Sequence, residues 1–153
     1  MNATTQLQAE AMPKGNYVLL TADTLHLILP QHEVGAAGYL EGGLEASDVP
    51  GLLKLSGDDG AHRFVALSAQ MTPLPHCPPE RFLVASLGEE DDELSWCWNE
   101  LQVLINVELP LHRLPSVLCA PDTPVDRYVE IEGKLAYLCS ARQLRAFAFP
   151  PEN

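Results

Sequence analysis

A chain of 153 residues suffices for one domain, or for two small barrels sharing a core. Folding at this size removes roughly 70% of the unfolded surface from water, so no metal or disulfide staple is required. The hydrophobic fraction of 46% and charged fraction of 20% are those of a globular protein. A formal charge of -12 with an isoelectric point near 4.6 argues against nucleic acid and acidic membrane surfaces as partners, because nine Lys and Arg cannot neutralise a phosphate track.

Met1 to Gly15 has neither a basic n-region nor an apolar h-region, so it reads as a short disordered tail rather than a secretory signal. No apolar stretch approaches the roughly 20 residues that span a bilayer, and the expected location is the cytosol. Beyond the tail the apolar residues alternate with period two over many short segments, the pattern of half-buried strands. Tyr17 to Thr21 and Leu25 to Leu29 flank Ala22-Asp23-Thr24, which predicts an opening hairpin. Pro30 then starts a possible single helical turn, Gln31 to Val34, and Gly35 to Tyr39 leads into a strand.

After the Gly42-Gly43 break, Val49 to Leu55 and His62 to Ala69 form two strand-like runs around the polar loop Ser56-Gly57-Asp58-Asp59-Gly60. Four prolines between Pro73 and Pro79 exclude a central strand and mark a crossing between halves. Arg81 to Leu87 resumes a strand, and Gly88-Glu89-Glu90-Asp91-Asp92 is an acidic turn. In the next strand Leu94, Trp96 and Trp98 share one face, the core-facing one by their period-two spacing, and Ser95, Cys97 and Asn99 the other. Gln102 to Val107 alternates again, and Pro110 to Pro124 is a second proline-marked crossing. The final hairpin is predicted as Tyr128 to Glu132, a Gly133-Lys134 turn, and Leu135 to Cys139. Ser140 is placed to cap a closing helix through Phe147, with Arg142 and Arg145 on its solvent face.

No motif for catalysis, a cofactor or a metal emerges. Cys77, Cys97, Cys119 and Cys139 contain no CxxC pair and read as buried thiols of a reducing compartment. His76 adjoins Cys77, but neighbours on an extended chain point oppositely, which does not make a dyad. His26, His32, His62, His76 and His112 lack the close spacing of zinc ligands. The glycines match no nucleotide loop, and Glu89 to Glu93 lacks the alternating ligands of a calcium loop.

Three stretches carry a resemblance to a known family. They are Tyr17 to Leu20 with Leu25 to Pro30 and Val34, Arg81 to Ser86 with Leu94 to Leu104, and Tyr128 to Leu138 followed by Ser140 to Phe147. Together they resemble the CheW family of chemotaxis coupling proteins over roughly residues 16–147. The resemblance implies an all-β fold with short helices: two SH3-like five-stranded β-barrel subdomains sharing a core, closed by a short C-terminal helix. The single domain would cover residues 16–149, with subdomains near 25–80 and 81–135 and termini pairing across the halves. It further implies a non-enzymatic adaptor coupling a methyl-accepting chemoreceptor tip to a histidine kinase regulatory domain, in chemotaxis or pilus control, with an interface around Val34, Ala36 and Ser56. Two positions depart from the family: Ala36 and Ser56 stand where it places a glutamate and an arginine. Losing both members of such a pair is coherent, since losing one would strand a charge. That loss, with the negative charge, keeps a rival open: a diverged SH3-like barrel that binds an unrelated protein or a small molecule outside chemosensory signalling.

Overall fold

The computed structural model describes residues 10–57, 61–88, 94–115, 125 and 127–149. The loop tip at 58–60, the acidic turn at 89–93, most of the second proline-marked crossing, and Cys119 lie outside the described residues. Among the described residues the fold is mostly β, with two mixed sheets and one helix. In chain order the strands are β1 (Glu10–Ala11), β2 (Gly15–Ala22), β3 (Leu25–Pro30), β4 (Val34–Tyr39), β5 (Leu44–Ala46), β6 (Leu53–Leu55), β7 (Arg63–Ala66), β8 (Leu83–Leu87), β9 (Leu94–Trp98), β10 (Glu100–Val107), β11 (Pro110–Arg113), β12 (Arg127–Ile131) and β13 (Lys134–Leu138). A single 3-10 turn, Gln31–Glu33, follows β3, and helix α1 spans Ala141–Ala148.

One sheet has seven strands in the order β1-β11-β12-β13-β3-β2-β10, and the other has six in the order β4-β8-β9-β7-β6-β5. In each, one pair is parallel, β13 with β3 and β7 with β9. The closed five-stranded barrels expected from the sequence are therefore corrected to two open, mixed sheets. Both nonetheless curl, for a reason of chain length. In a flat sheet β4 and β5, at opposite ends of the six-stranded order, would stand about 24 Å apart. The chain from Tyr39 to Leu44 spans at most about 18 Å. β10 and β11 pose the same problem in the other sheet, joined only by Glu108 and Leu109.

Curling gives each sheet an inside as well as a face toward its neighbour, so three clusters are buried. The largest joins Val18, Leu20, Leu27 and Leu29 of the seven-stranded sheet to Val65, Ala85, Trp96 and Trp98 of the six-stranded one, with Leu144 of α1 closing it. Tyr17, Leu19, Ile28, Val129 and Ala136 fill the curve of the first sheet, and Leu53, Phe64, Ala66 and Cys97 that of the second. β2, β3 and β9 are thus covered on both faces, and both tryptophans lie in the shared core as their alternation predicts.

Several sequence expectations need correction. Residues 10–15 do not belong to a tail: Glu10 and Ala11 pair with β11, and Met12 is buried in the curve of the seven-stranded sheet. One sheet uses residues 34–98 and the other 10–30 with 100–138. The chain passes from the six-stranded sheet to the seven-stranded one at Asn99. The runs Val49 to Leu55 and His62 to Ala69 shorten to β6 and β7, and Leu44–Ala46 forms a strand that its three-residue length concealed. The last hairpin turns on Glu132 and Gly133, one residue earlier than predicted. Both have positive φ, 53° and 81°, the mirror-image turn that matches strand twist.

Candidate protein-binding surface

β4 forms one end of the six-stranded order, so among the described residues its outer backbone edge has no strand partner. Its sequence, VGAAGY, is small and largely exposed. Gly35 leaves the Ser86 hydroxyl its present position, since a Cβ there would force that hydroxyl to another rotamer. The ladder with β8 slips between Val34 and Ala37, and this bulge turns Ala36 outward. At the far end Tyr39 is 72% exposed and Phe82 47%. Their rings stack at 6.1 Å with a 4° interplanar angle. A stacked aromatic pair with this much free surface resembles the aromatic anchors enriched in protein interfaces.

A polar clip fixes this region relative to the other sheet. Arg81, 0% exposed, donates through Nη2 to Asp23 Oδ2 at 2.9 Å and to the Leu67 carbonyl at 2.7 Å. Asp23 sits in the β2–β3 turn with φ 57°, where its N–H donates to Asn99 Oδ1. Asn99 in turn donates its backbone N–H to the Thr21 carbonyl at 2.8 Å. One guanidinium and one amide therefore tie the first hairpin to the chain entering β8 beside Phe82 and to the β9–β10 junction. Beside them a cleft of about 480 Å³ is bordered by Glu41, Gly42, Gly43, Cys77 and Phe82.

A second cleft, about 670 Å³, lies between the 3-10 turn and α1, bordered by His32, Glu33, Leu87, Arg142, Arg145 and Phe149. Ser140 caps α1 as predicted, its Oγ accepting from the Gln143 N–H at 3.1 Å. Glu33 Oε1 accepts from the Ala141 N–H at 2.7 Å. A carboxylate at a helix start also meets the positive end of the helix dipole. Arg142 and Arg145 are exposed, as their helical spacing predicts.

The residues singled out from the sequence are not gathered at one point. Val34 is half-buried and packs on the shared core, while Ala36 lies exposed in the bulge of the same strand. Ser56 is exposed beyond β6, where its N–H donates to the Gly43 carbonyl at 2.9 Å. Among the described residues no strand pairing or hydrogen bond links it to Ala36. Tyr39, Phe82 and Arg81 escaped notice as site residues. The alternation of Arg81 to Leu87 did hold a signal, because it puts Arg81 on the inward face with Ala85 and Leu87 and leaves Phe82 outward.

The histidines occupy separate environments. His62 Nε2 lies 2.8 Å from Ser95 Oγ, and His112 stacks on Tyr128. His26 Nδ1 lies 3.1 Å from Thr21 Oγ1. Burial, then the Lys134 charge, lowers its pKa against the opposing pull of Glu100. No three His, Cys, Asp or Glu side chains come together as metal ligands among the described residues. His76 is exposed, and Cys77 packs against the buried cluster that contains Cys97. Cys97 and Cys139 are buried.

No family model matches the chain, and no curated protein matches it at a significant level. No helix among the described residues is long and apolar enough to cross a membrane.

Proposed function

We propose that this chain is a cytoplasmic, non-enzymatic adaptor of the CheW-like type, which couples a chemoreceptor tip to the regulatory domain of a histidine kinase in bacterial chemosensory signalling. The observation that carries the reading is the exposed, stacked Tyr39–Phe82 pair at the free edge of β4. An open strand edge offers main-chain hydrogen bonds to a partner strand, and an aromatic anchor beside it supplies buried apolar area.

The strand paths support the same reading. If β4 with β5 and β10 with β11 are each counted as one strand broken by a bend, each sheet holds five paths, with β1 in addition. Five paths per curled sheet around a shared core is the layout that two fused SH3-like barrels require. Ala36 and Ser56, small and exposed, leave this surface without the charge pair of the family, so the apolar edge would dominate recognition.

Affinity purification from the native host tests the proposal, with recovery of a histidine kinase and a methyl-accepting receptor expected. Replacing both rings, Tyr39→Ser with Phe82→Ser, should weaken kinase-domain binding at least about tenfold, as loss of an aromatic anchor does, with the melting temperature little changed. Recovery of neither partner would sink the adaptor reading. The cleft beside α1 favours the second reading, a barrel that binds a small molecule outside this pathway, since about 670 Å³ is within the size range of ligand pockets. That reading predicts a co-purified small molecule and indifference to the two ring substitutions.

A further inference from the structure

Cys77 and Cys97 stand 20 residues apart in the chain, without any motif spacing, yet they pack together inside the curve of the six-stranded sheet. Cys77 packs against the buried cluster to which Cys97 belongs, close enough that each thiol shifts the pKa of the other, Cys77 downward and Cys97 upward. Their surroundings differ in a way that suits sequential chemistry. Cys77 is partly exposed and borders the cleft lined by Gly42, Gly43 and Phe82, where the two glycines place no side chain across the opening. Cys97 is buried on β9, opposite Ala66 on one side and Val84 on the other, so it is held by two ladders and shielded from solvent.

Arg81 completes the arrangement. Cys97 and then the Arg81 cation lower the pKa of the Cys77 thiol against the opposing effect of burial, whereas Cys77 and burial raise that of Cys97 despite the cation. The side chain is fully buried, yet among the described residues its Nε and Nη1 have no hydrogen-bond partner. Buried guanidinium N–H groups without acceptors are costly in a structural role, and a developing thiolate nearby gains from them. At rest the Cys77 Sγ lies 3.5 Å from the Pro78 carbonyl and 3.6 Å from that of Arg81.

We propose that Cys77 and Cys97 form a thiol–disulfide exchange site, at which Cys77 takes up a low-molecular-weight disulfide and Cys97 resolves the adduct into an intramolecular disulfide. Cys77 releases its proton to solvent and its sulfur attacks one sulfur of the reagent. The reagent's S–S bond breaks, and the first thiolate leaves and is protonated. Cys97 then releases its proton, its sulfur attacks Cys77 Sγ, the bond to the adduct breaks, and the second thiolate leaves. Two protein thiols are oxidised, and one small disulfide is reduced to two thiols.

Formation of the adduct itself prepares the second step. The neighbouring Cys77 sulfur is the largest influence that raises the Cys97 pKa, ahead of burial, and an adduct on Cys77 takes that thiol group away. Cys77 lies in a proline-rich segment held by sparse hydrogen bonds, of which Leu74 N–H to the Ala66 carbonyl is one. That segment can yield the few ångströms separating two neighbouring thiols from a disulfide bond of about 2 Å, while β9 stays in its ladders.

The test incubates the native full chain with hydroxyethyl disulfide, alkylates remaining thiols, and maps the peptides by mass spectrometry. The expected product has lost two hydrogens and yields a peptide joining Cys77 to Cys97. Cys97→Ser should trap a single hydroxyethyl-thio adduct on Cys77, and Cys77→Ser should lower the rate of thiol loss at position 97 at least tenfold. A persistent adduct on Cys77 in the natural sequence, no uptake at all, or a cross-link to Cys119 or Cys139 instead would each overturn the proposal. Because the mapping is done first on the natural sequence, it stands even if a serine variant fails to fold.

Discussion

Arg81 shows how one side chain can serve two sheets. Its stem is buried, and its Nη2 bonds the Leu67 carbonyl on one side and Asp23 on the other. Asp23 is half-exposed, so water screens that ion pair and its own contribution is small. The Leu67 carbonyl has no such relief. Arg81→Met keeps most of the apolar stem but leaves that acceptor without its donor, which should cost about 2 kcal/mol. Urea unfolding checks this, and an unchanged midpoint would show that water replaces the guanidinium. Cys139 gives a pH-dependent case. Burial, with the Glu33 charge secondary, pushes its thiol up to about 12 from the usual 9. A raised folded value means that the unfolded chain loses this proton first, so the stabilisation is intact below about pH 9 and is lost as pH rises toward 12. The full loss from this group is on the order of 4 kcal/mol. Cys139→Ala should therefore flatten the alkaline fall in stability measured by urea titration, and an equally steep fall in the variant would assign it to other groups.

At the scale of elements, the last hairpin is set by turn geometry more than by strand propensity. Glu132 adopts φ 53° ahead of Gly133 at 81°, and a residue with a Cβ is strained there. Asn is far better tolerated in that conformation, and Asn-Gly is the preferred pair for this turn. Glu132→Asn should raise stability by about 0.5 to 1 kcal/mol, read as an upward shift in the thermal midpoint. A decrease would mean that the Glu132 side chain has a stabilising role that outweighs the backbone strain. Helix α1 shows the opposite case, an element whose ends were readable. Ser140 marks its start, and its apolar Ala141, Leu144 and Ala148 follow a helical spacing toward the shared core. What could not be read was the second cap, Glu33, which is 108 residues away in sequence.

For the molecule as a whole, the shared core decides how it unfolds. Trp96 and Trp98 belong to the six-stranded sheet but are packed with side chains of the seven-stranded sheet and α1, so neither sheet can expose its face while the other remains folded. Unfolding should therefore be one cooperative transition, with tryptophan fluorescence and far-ultraviolet circular dichroism giving the same denaturant midpoint. Two separated midpoints would show that the sheets are independent units.

The sequence by itself determined the β class, the outline of most strands, the inward direction of both tryptophans and the cap of α1, because each of these depends on local spacing. Period-two alternation is a property of neighbours along the chain, and so is a serine ahead of a helical apolar stripe. Only the tertiary structure decided which strands share a sheet, the curl imposed by the short links at 40–43 and 108–109, the inclusion of Met12 in the fold, and the meeting of Cys77 with Cys97 beside Arg81. Those features join residues distant in the chain, and no local pattern records the partner that a strand edge, a buried cation or a thiol finally meets.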